Sequence, residues 1–220
     1  MKQTRVRTLP ARAIDGHQTS SPGSPTHPMR VATRRAAGFD PGGWTGDLRH
    51  DVEQFFDELA GQWHTRVSPQ RIAIVEDALA RGLDAVPAPR GLAIEVGSGI
   101  GTYSPVIAGR FGPVLSVDLS REMLRRAPAR PGHRVQGDGS ALPVPDGVAA
   151  AVVLINAFLF PTEVDRILRR DGVLVWVNSS GEQTPIYLSV DDLVTALPGS
   201  WGGVASRAGE GHWCVLRRER

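Results

Sequence analysis

The sequence contains a single cysteine, Cys214, among 220 residues. One thiol excludes an internal disulfide framework and any metal site built from several cysteines, and its place in a predicted strand favours a buried, inert side chain. Long apolar runs are also lacking: none approaches the roughly 18 residues that a membrane-spanning helix needs. The first residues do not contain the hydrophobic region of a secretory signal. The sequence therefore predicts a cytoplasmic protein without a membrane span.

Lysine is nearly absent, so the basic charge is carried by arginine. The net charge is +2, but residues 1–38 alone carry about +6 and the remainder is mildly acidic. These basic side chains are spread among Pro, Ser, Thr and Gly, without the interleaved aromatic residues of a nucleic-acid-binding arm. We therefore expect residues 1–46 to form a disordered, solvated tail, and we expect no nucleic-acid partner.

Three glycines at alternate positions follow a short apolar run that has the character of a β-strand. The run is Leu92–Val96, and the glycines are Gly97, Gly99 and Gly101, with Ser98 between the first two. Glycine is needed where a backbone turns sharply or where a ligand approaches closer than a Cβ would allow. Because residues that start a helix follow, the pattern predicts a strand, a tight turn and a helix whose free N–H groups face a bound group.

The spacing of these glycines favours one ligand over another. A dinucleotide-binding turn requires its third glycine at position 102, where this sequence has Thr102. Glu95, two residues before the first glycine, would repel a pyrophosphate but suits the ammonium and sulfonium groups of S-adenosylmethionine (SAM). The stretch resembles the first motif of the class I SAM-dependent methyltransferases, acid-x-Gly-x-Gly-x-Gly. The resemblance implies that SAM contacts Glu95, Gly97, Ser98, Gly99 and Gly101. A glycine turn without a ligand and a nicotinamide-dependent reductase are the alternatives.

Two carboxylates follow at the ends of the next two predicted strands. Asp118 lies about 20 residues beyond the glycine turn, where an acid is expected to accept the hydroxyls of a ribose. Asp138 lies in Gly137–Asp146, which resembles the Gly-Asp-Ala-x-x-Leu-Pro-Phe-x-Asp segment of small-molecule methyltransferases. The resemblance implies that Asp118 with Leu119 binds the ribose and that Asp138 binds the adenine amino group. Gly139 replaces the commoner alanine, which we expect to be harmless. Without a ligand, both acids would be ordinary cap or turn residues.

The most apolar segment, Ala149–Ile155, predicts a central strand that is buried on both faces. In a doubly wound fold the acceptor approaches the mouth beyond this strand, so we expect Asn156 at the cofactor and Phe158 at the substrate. The residues there lack the Asp/Asn-Pro-Pro-aromatic sequence of enzymes that methylate nucleic-acid amino groups, and no Pro-Cys nucleophile for cytosine methylation is present. The resemblance therefore implies a small-molecule acceptor.

Two amphipathic helices precede the glycine turn, the first from Asp47 and the second from Ser68-Pro69. Because this family often folds an aromatic and basic element over its cofactor, the resemblance implies that Trp63 and Arg66 belong to a lid on the substrate side. We take His64 as the candidate general base, because a neutral imidazole suits proton abstraction near pH 7. The alternative is a buried Trp63 and a surface His64. The other candidates for the base are Glu182, Tyr187 and His212.

Alternating strands and helices predict an α/β fold, and the resemblance implies a doubly wound, Rossmann-like sheet with helices on both faces. Seven strands are expected, mostly parallel, with an antiparallel C-terminal hairpin. The domain would span 47–220, with cover helices in 47–90, the SAM-binding core in 91–177, and substrate-side and closing strands in 178–220. We expect a SAM-dependent methyltransferase that methylates O, N, S or C of a small molecule, without a metal. A non-catalytic SAM-binding module that acts through protein partners is the alternative.

Overall fold

The computed structural model describes residues 5–15, 23–129 and 132–219, which form one mixed sheet flanked by helices. Across the sheet, the strand order is β1-β7-β8-β6-β5-β2-β3-β4. Neighbouring strands run parallel, except that β8 is antiparallel to both β6 and β7. The predicted sheet type is confirmed, with eight strands instead of seven. The strands are β1 (Arg5–Thr8), β2 (Ala93–Val96), β3 (Val114–Asp118), β4 (His133–Gln136), β5 (Ala149–Ile155), β6 (Leu168–Asn178), β7 (Trp201–Ala208) and β8 (Gly211–Arg218).

Serine side chains begin several of the helices, as their sequences predict. Ser68 and Ser120 each accept a backbone N–H from the first turn of the following helix. No helix within the described ranges is both long and apolar enough to cross a membrane. The α-helices are α1 (Pro28–Ala36), α2 (Gly46–Leu59), α3 (Pro69–Asp77), α4 (Leu83–Ala85), α5 (Ser104–Phe111), α6 (Arg121–Arg126), α7 (Pro161–Ile167) and α8 (Val190–Ala196). The other helical segments are two 3₁₀ helices, Ala60–Arg66 and Gly181–Gln183, and a π-helical turn, Ala78–Gly82.

The sheet is covered on both faces, because alternate residues of its central strands belong to separate apolar clusters. Every residue of β5 is buried. Val152 and Leu154 pack with residues of α7 and α8 on one face. Ala151 and Val153 pack with residues of α3 and α5 on the other face. Since β2, β3, β4 and β5 are parallel neighbours, their carboxyl ends meet at one edge, where ligands bind in sheets of this type.

The N-terminal region is not the disordered tail that its composition predicts. Strand β1 pairs in parallel with β7 at the edge of the sheet. Beyond it, Arg12 Nη1 donates to Asp77 Oδ1 at 3.0 Å. The buried Asp77 carboxylate also accepts hydrogen bonds from Arg81 and from Trp213 Nε1. The prediction of disorder is therefore wrong for residues 5–15 and 23–46, whereas 1–4 and 16–22 lie outside the described residues.

Residues 28–66, here called the cover segment, comprise α1, α2 and the 3₁₀ helix that continues α2. Met29 of α1 and Val52 of α2 are buried in one apolar cluster. Helix α2 is also tied to the core, because Ser120 Oγ donates to Asp57 Oδ1 at 2.5 Å. The folded domain therefore begins well before residue 47, which corrects the predicted domain boundary.

The sequence predicts a turn at Asp171-Gly172 and a strand only from Val173 to Val177, but β6 begins earlier, at Leu168. Both residues of the predicted turn lie inside this one continuous strand. A Cβ on Gly172 would lie 3.0 Å from the carbonyl oxygen of Ala149 and 2.9 Å from Leu168 Cδ1. Glycine is needed here for the close approach of two strands at an irregular pairing, and not for a change of chain direction.

Candidate active site

The glycine turn between β2 and α5 has the conformation that the sequence predicts. Gly97, Gly99 and Gly101 have φ angles of 71°, 56° and 72°, a region that residues with a Cβ rarely adopt. The N–H of Gly97 donates to the carbonyl oxygen of Val117 at 2.8 Å, which fixes the turn to β3. A Cβ on Gly99 would lie 3.3 Å from Trp63 Nε1. Glycine at this position lets the cover segment approach the turn closely.

Asp118 lies at the carboxyl end of β3, and both oxygens of its carboxylate accept backbone N–H groups. Gly99 N donates to Oδ2 at 2.6 Å, and Ser120 N donates to Oδ1 at 2.8 Å. Burial raises the pKa of Asp118 to about 6, although these two hydrogen bonds act to lower it. Because each oxygen can accept two hydrogen bonds, each retains the capacity for one further donor.

Asp138 follows β4 and is contacted from the cover segment. The indole N–H of Trp44 donates to both oxygens of Asp138, at 3.1 Å each. Ser140 N also donates to Oδ1, at 2.8 Å. Asp118 and Asp138 thus present carboxylates at the ends of two adjacent strands, as the sequence predicts.

Packing favours glycine at position 139, where the family more often has alanine. A Cβ at this position would lie 2.9 Å from Val96 Cγ1 and 3.0 Å from Phe160 Cε2. Such distances are too short for carbon atoms to be accommodated without movement of the neighbours. Glycine replaces the family's commoner alanine at this position because the large Phe160 side chain packs closely against the Gly139 backbone.

A cavity of about 100 Å³ lies between this edge of the sheet and the cover segment. Its largely apolar and aromatic wall, with a few polar groups, is the kind of lining found in small-molecule sites. The predicted site residues that line it are Trp63, Arg66, Gly97, Ser98, Gly99, Asp118, Leu119, Asp138, Gly139, Asn156 and Phe158.

Asn156 shapes the cavity at the end of β5. It has a φ of 50°, a left-handed conformation that asparagine tolerates better than most residues. Its Nδ2 donates to Ser179 Oγ at 2.9 Å, and its Oδ1 accepts the Ser179 N–H at 2.8 Å. The side chain is therefore held between the ends of β5 and β6.

Glu95 and Gly101 do not line the cavity. The buried Glu95 carboxylate accepts hydrogen bonds at Oε2 from Ser104 Oγ at 2.5 Å and from Ser116 Oγ at 3.1 Å. Burial raises the pKa of Glu95 to about 7, and these two hydroxyls offset part of that effect. The structure therefore corrects the predicted ligand contact of Glu95: the side chain supports the start of α5, beneath the turn.

His64 is exposed and does not line the cavity, so the structure does not support its prediction as the general base. The reason is helical geometry. A 3₁₀ helix has three residues per turn, which places Trp63 and Arg66 on one face, toward the cavity, and His64 away from that face. The other candidates for the base lie outside the cavity wall as well: Glu182, Tyr187 and His212.

The cavity wall also contains residues that were not predicted from the sequence, among them Trp44, Arg71 and Tyr103. Arg71 Nη1 donates to the carbonyl oxygen of Arg66 at 2.6 Å, and Nη2 donates to Ser180 Oγ at 3.2 Å. Among the residues that the structure describes, no carboxylate pairs with Arg71. Its charge is therefore not neutralised by the protein around it.

Residues 94–176 match a family model described as a methyltransferase domain. A curated relative, the demethylmenaquinone methyltransferase of Mycolicibacterium vanbaalenii, is 27% identical over 169 residues, which cover 71% of this chain and 73% of the relative. Together these likenesses support a class I SAM-dependent methyltransferase, with SAM as its cofactor.

Solved structures share the methyltransferase fold. A Methanococcus maripaludis protein assigned as a SAM-dependent methyltransferase has a TM-score of 0.54 and 17% identity, over 77% of this chain and 93% of that chain. A chain from the Haloferax volcanii complex of the Trm112 methyltransferase activator and an assigned methyltransferase has a TM-score of 0.48 and 23% identity. The second likeness covers 56% of this chain and 59% of that chain, less than two thirds of its length. The first likeness concerns the fold alone.

The polar groups of the cavity wall suit SAM. The hydroxyl of Ser98 is buried beside the turn without a hydrogen-bond partner in the described protein, so it is available to a polar ligand. The positive φ of Gly99 favours glycine at this position, and glycine has no Cβ that would meet Trp63. Asp118 retains acceptor capacity for hydroxyl groups, and Asp138 lies beyond it at the next strand. The amino-acid part, the ribose and the adenine of SAM would therefore each find a polar partner along this edge of the sheet.

Proposed function

We propose that the chain transfers a methyl group from SAM to an O, N, S or C atom of a small-molecule acceptor. The observation that carries the proposal is the arrangement of the cavity. It connects the glycine turn and two strand-end carboxylates to an aromatic wall, all beneath the cover segment. A cavity that is covered in this way suits a compact acceptor better than a polymer.

Residues at the carboxyl ends of β2, β3 and β4 would hold the cofactor. In this proposal Ser98 binds near the amino-acid part, Asp118 accepts the ribose hydroxyls and Asp138 accepts the adenine amino group. When bound, SAM supplies a methyl group activated by a positively charged sulfur. Glu95 contributes indirectly, since it holds the start of α5 through Ser104.

The acceptor half of the cavity combines aromatic surfaces with positive charge. Trp63 and Phe158 provide flat apolar contacts, and the Arg66 guanidinium lies 5.6 Å from the Trp63 ring centroid. The unneutralised charge of Arg71 suits a carboxylate, either on the amino-acid part of the cofactor or on the acceptor. These features favour a flat acceptor. The name of the curated relative adds demethylmenaquinone to the compounds worth testing.

Tyr103 lines this half of the cavity, whereas His64 does not. Tyr103 is a titratable side chain that carries no charge at neutral pH. Burial raises the pKa of Tyr103, although the nearby Arg71 charge acts to lower it. A phenol that stays protonated at neutral pH can orient an acceptor by a hydrogen bond but cannot abstract its proton. We therefore infer that alignment supplies the acceleration, and that suitable acceptors carry a free lone pair or lose their proton readily.

The experiment that tests this function is a screen with methyl-labelled SAM. The acceptors would be aromatic acids, phenols, thiols, amines and demethylmenaquinone, with labelled products detected by mass spectrometry. We expect a labelled product from at least one class, and its loss in the Gly99→Val variant. SAM binding without any product would support the non-catalytic SAM-binding module instead, and absence of SAM binding would contradict the cofactor site.

A further inference from the structure

Trp44 presents an aromatic ring and an N–H donor to Asp138 from within the chain. The indole Nε1 lies 3.1 Å from each carboxylate oxygen of Asp138. The ring centroid lies 5.4 Å from that of Phe158 and 5.0 Å from that of Phe160. Trp44 belongs to the short connection between α1 and α2 and lines the cavity. The acceptor atoms of Asp138 are thus occupied by a residue of the cover segment.

The position of Asp138 in the sheet indicates what else would bind there. Strands β2, β3 and β4 are successive neighbours, and their carboxyl ends carry the glycine turn, Asp118 and Asp138 in that order. In doubly wound sheets the acid after the glycine turn binds the ribose. A nucleoside along this edge therefore carries its base beyond Asp118, beside Asp138. Adenine is a flat ring with an exocyclic N–H donor, which is the chemistry that Trp44 presents.

Asp138 has little capacity left for a second aromatic donor. Oδ1 already accepts from Ser140 N at 2.8 Å and from Trp44, and a carboxylate oxygen accepts about two hydrogen bonds. Oδ2 has one acceptor position remaining, next to the indole. The amino group of adenine could reach only this position, so adenine and the indole ring compete for the space beside the Asp138 carboxylate.

We propose that Trp44 leaves Asp138 when the adenine of the cofactor binds, so that this tryptophan lowers cofactor affinity and couples binding to a movement of residues 37–45. The proposal rests on the proposed function, since it takes the ligand to be SAM. Breaking the indole hydrogen bond costs free energy, and this cost reduces the observed affinity for the cofactor.

The connection around Trp44 can move while the cover segment stays in place. Gly42 and Gly43 precede it with φ angles of 96° and 59°, and a Cβ on Gly43 would meet no atom within 4 Å. Helix α2 remains attached, because Asp57 Oδ1 accepts hydrogen bonds from Ser120 Oγ at 2.5 Å and from Glu122 N at 3.1 Å. The movement is therefore local to the connection between the two helices.

The Trp44→Phe variant tests the competition, because phenylalanine keeps an aromatic ring but has no N–H donor. We expect it to bind S-adenosylhomocysteine about threefold to tenfold more tightly than the wild type in calorimetric titrations, since a competing hydrogen bond is removed. Weaker or equal binding would overturn the proposal: weaker binding would mean that the indole stays and contacts the ligand.

A double-mutant cycle with Asp138→Ala separates this competition from a general effect of the smaller ring. In the Asp138→Ala background the contested oxygens are gone, so Trp44→Phe should leave the affinity unchanged. A gain of the same size in that background would contradict the proposal, because the gain could not then come from Asp138.

Nuclear magnetic resonance of the indole N–H follows the displacement without an activity assay. The resonance that is missing from Trp44→Phe should shift in the wild type on addition of S-adenosylhomocysteine, and its hydrogen exchange should become faster. An unchanged resonance in the saturated protein would overturn the displacement alone. Absence of binding to both the wild type and Trp44→Phe would instead overturn the proposed function together with the displacement.

Discussion

The backbone N–H of Gly99 donates to Oδ2 of Asp118 at 2.6 Å, so the glycine turn and the end of β3 form one unit. The bond is accompanied by a φ of 56° at Gly99, which a residue with a Cβ would adopt only with strain. Ser120 N holds the other oxygen of the same carboxylate. Both the orientation of Asp118 and the shape of the turn therefore depend on this contact.

The Gly139→Ala variant should be less stable than the wild type by about 1 to 3 kcal/mol, because the added methyl group would overlap with Val96 and Phe160. The midpoint of urea denaturation measures the change. Gly46→Ala is the matched control, since a Cβ on Gly46 would meet no atom within 4 Å. Equal stability of Gly139→Ala and the wild type would show that the neighbouring side chains yield without cost.

Much of the sheet and of the cofactor edge was predictable, because short patterns determine both. The apolar run of β5 and the alternate glycines each span only a few residues, and each of the two acids lies at or near the end of its own predicted strand. Parallel strands bring their carboxyl ends together, so Asp118 and Asp138 could be placed at one edge without knowledge of side-chain contacts.

The remainder depends on contacts between distant parts of the chain. β1 has only four residues and is ordered by pairing with β7, almost 200 residues away. Trp44 meets Asp138 across 94 residues, which no local pattern indicates. His64 was misplaced for a different reason: it was chosen for the chemistry of its imidazole, whereas the 3₁₀ helix that contains it directs the side chain to solvent.

Deletion of residues 1–15 should lower the free energy of unfolding by about 2 kcal/mol or more, because it removes the β1 pairing and the Arg12 contact with Asp77. Urea denaturation of the truncated and full chains measures the loss. Arg7→Ala is the control, since it changes charge at an exposed position but leaves the strand in place. Unchanged stability on deletion would mean that β1 contributes nothing to the fold.

The Glu95→Gln variant should remove a pH dependence of stability. The pKa of Glu95 is raised from 4.5 to about 7 in the folded protein, so the folded state holds this proton more tightly than the unfolded state. The wild type should therefore lose stability as the pH rises from about 4.5 to 7, and then no more above that range. The loss is about 3 kcal/mol at most.

Glutamine is uncharged and can still accept hydrogen bonds from Ser104 and Ser116. Glu95→Gln should consequently be more stable than the wild type at pH 8 and close to it at pH 4, as measured by urea denaturation at several pH values. The pKa of Asp118 is also raised, but Asp118 is present in both proteins, so its effect on the pH dependence of stability cancels in the comparison. The difference between the two proteins therefore reports on Glu95. Parallel stability profiles would contradict the assignment of a raised pKa to Glu95.

The Arg71→Gln variant should weaken binding of a carboxylate-bearing ligand. We expect S-adenosylhomocysteine to bind about tenfold less tightly, whereas 5′-methylthioadenosine, which lacks the carboxylate, should bind as to the wild type. Calorimetry measures both affinities. Arg49→Gln, at an exposed position outside the cavity, is the matched control. An equal loss of affinity for both ligands would indicate that Arg71 supports the structure of the site. Unchanged affinity for both would contradict a contact between Arg71 and the carboxylate of the cofactor, and would indicate a contact with the acceptor instead.

Calorimetric titration of SAM into the wild type, Gly99→Val and Gly109→Val tests the proposed cofactor site most directly. Gly109 lies in α5 with free space around its Cβ position, whereas a side chain on Gly99 would be strained and would meet Trp63. We expect saturable binding of SAM but not of NAD⁺ to the wild type, an affinity lower by about tenfold or more in a folded Gly99→Val, and little change in Gly109→Val. Wild-type affinity for SAM in Gly99→Val, or preferential binding of NAD⁺, would contradict the assignment of this turn to SAM.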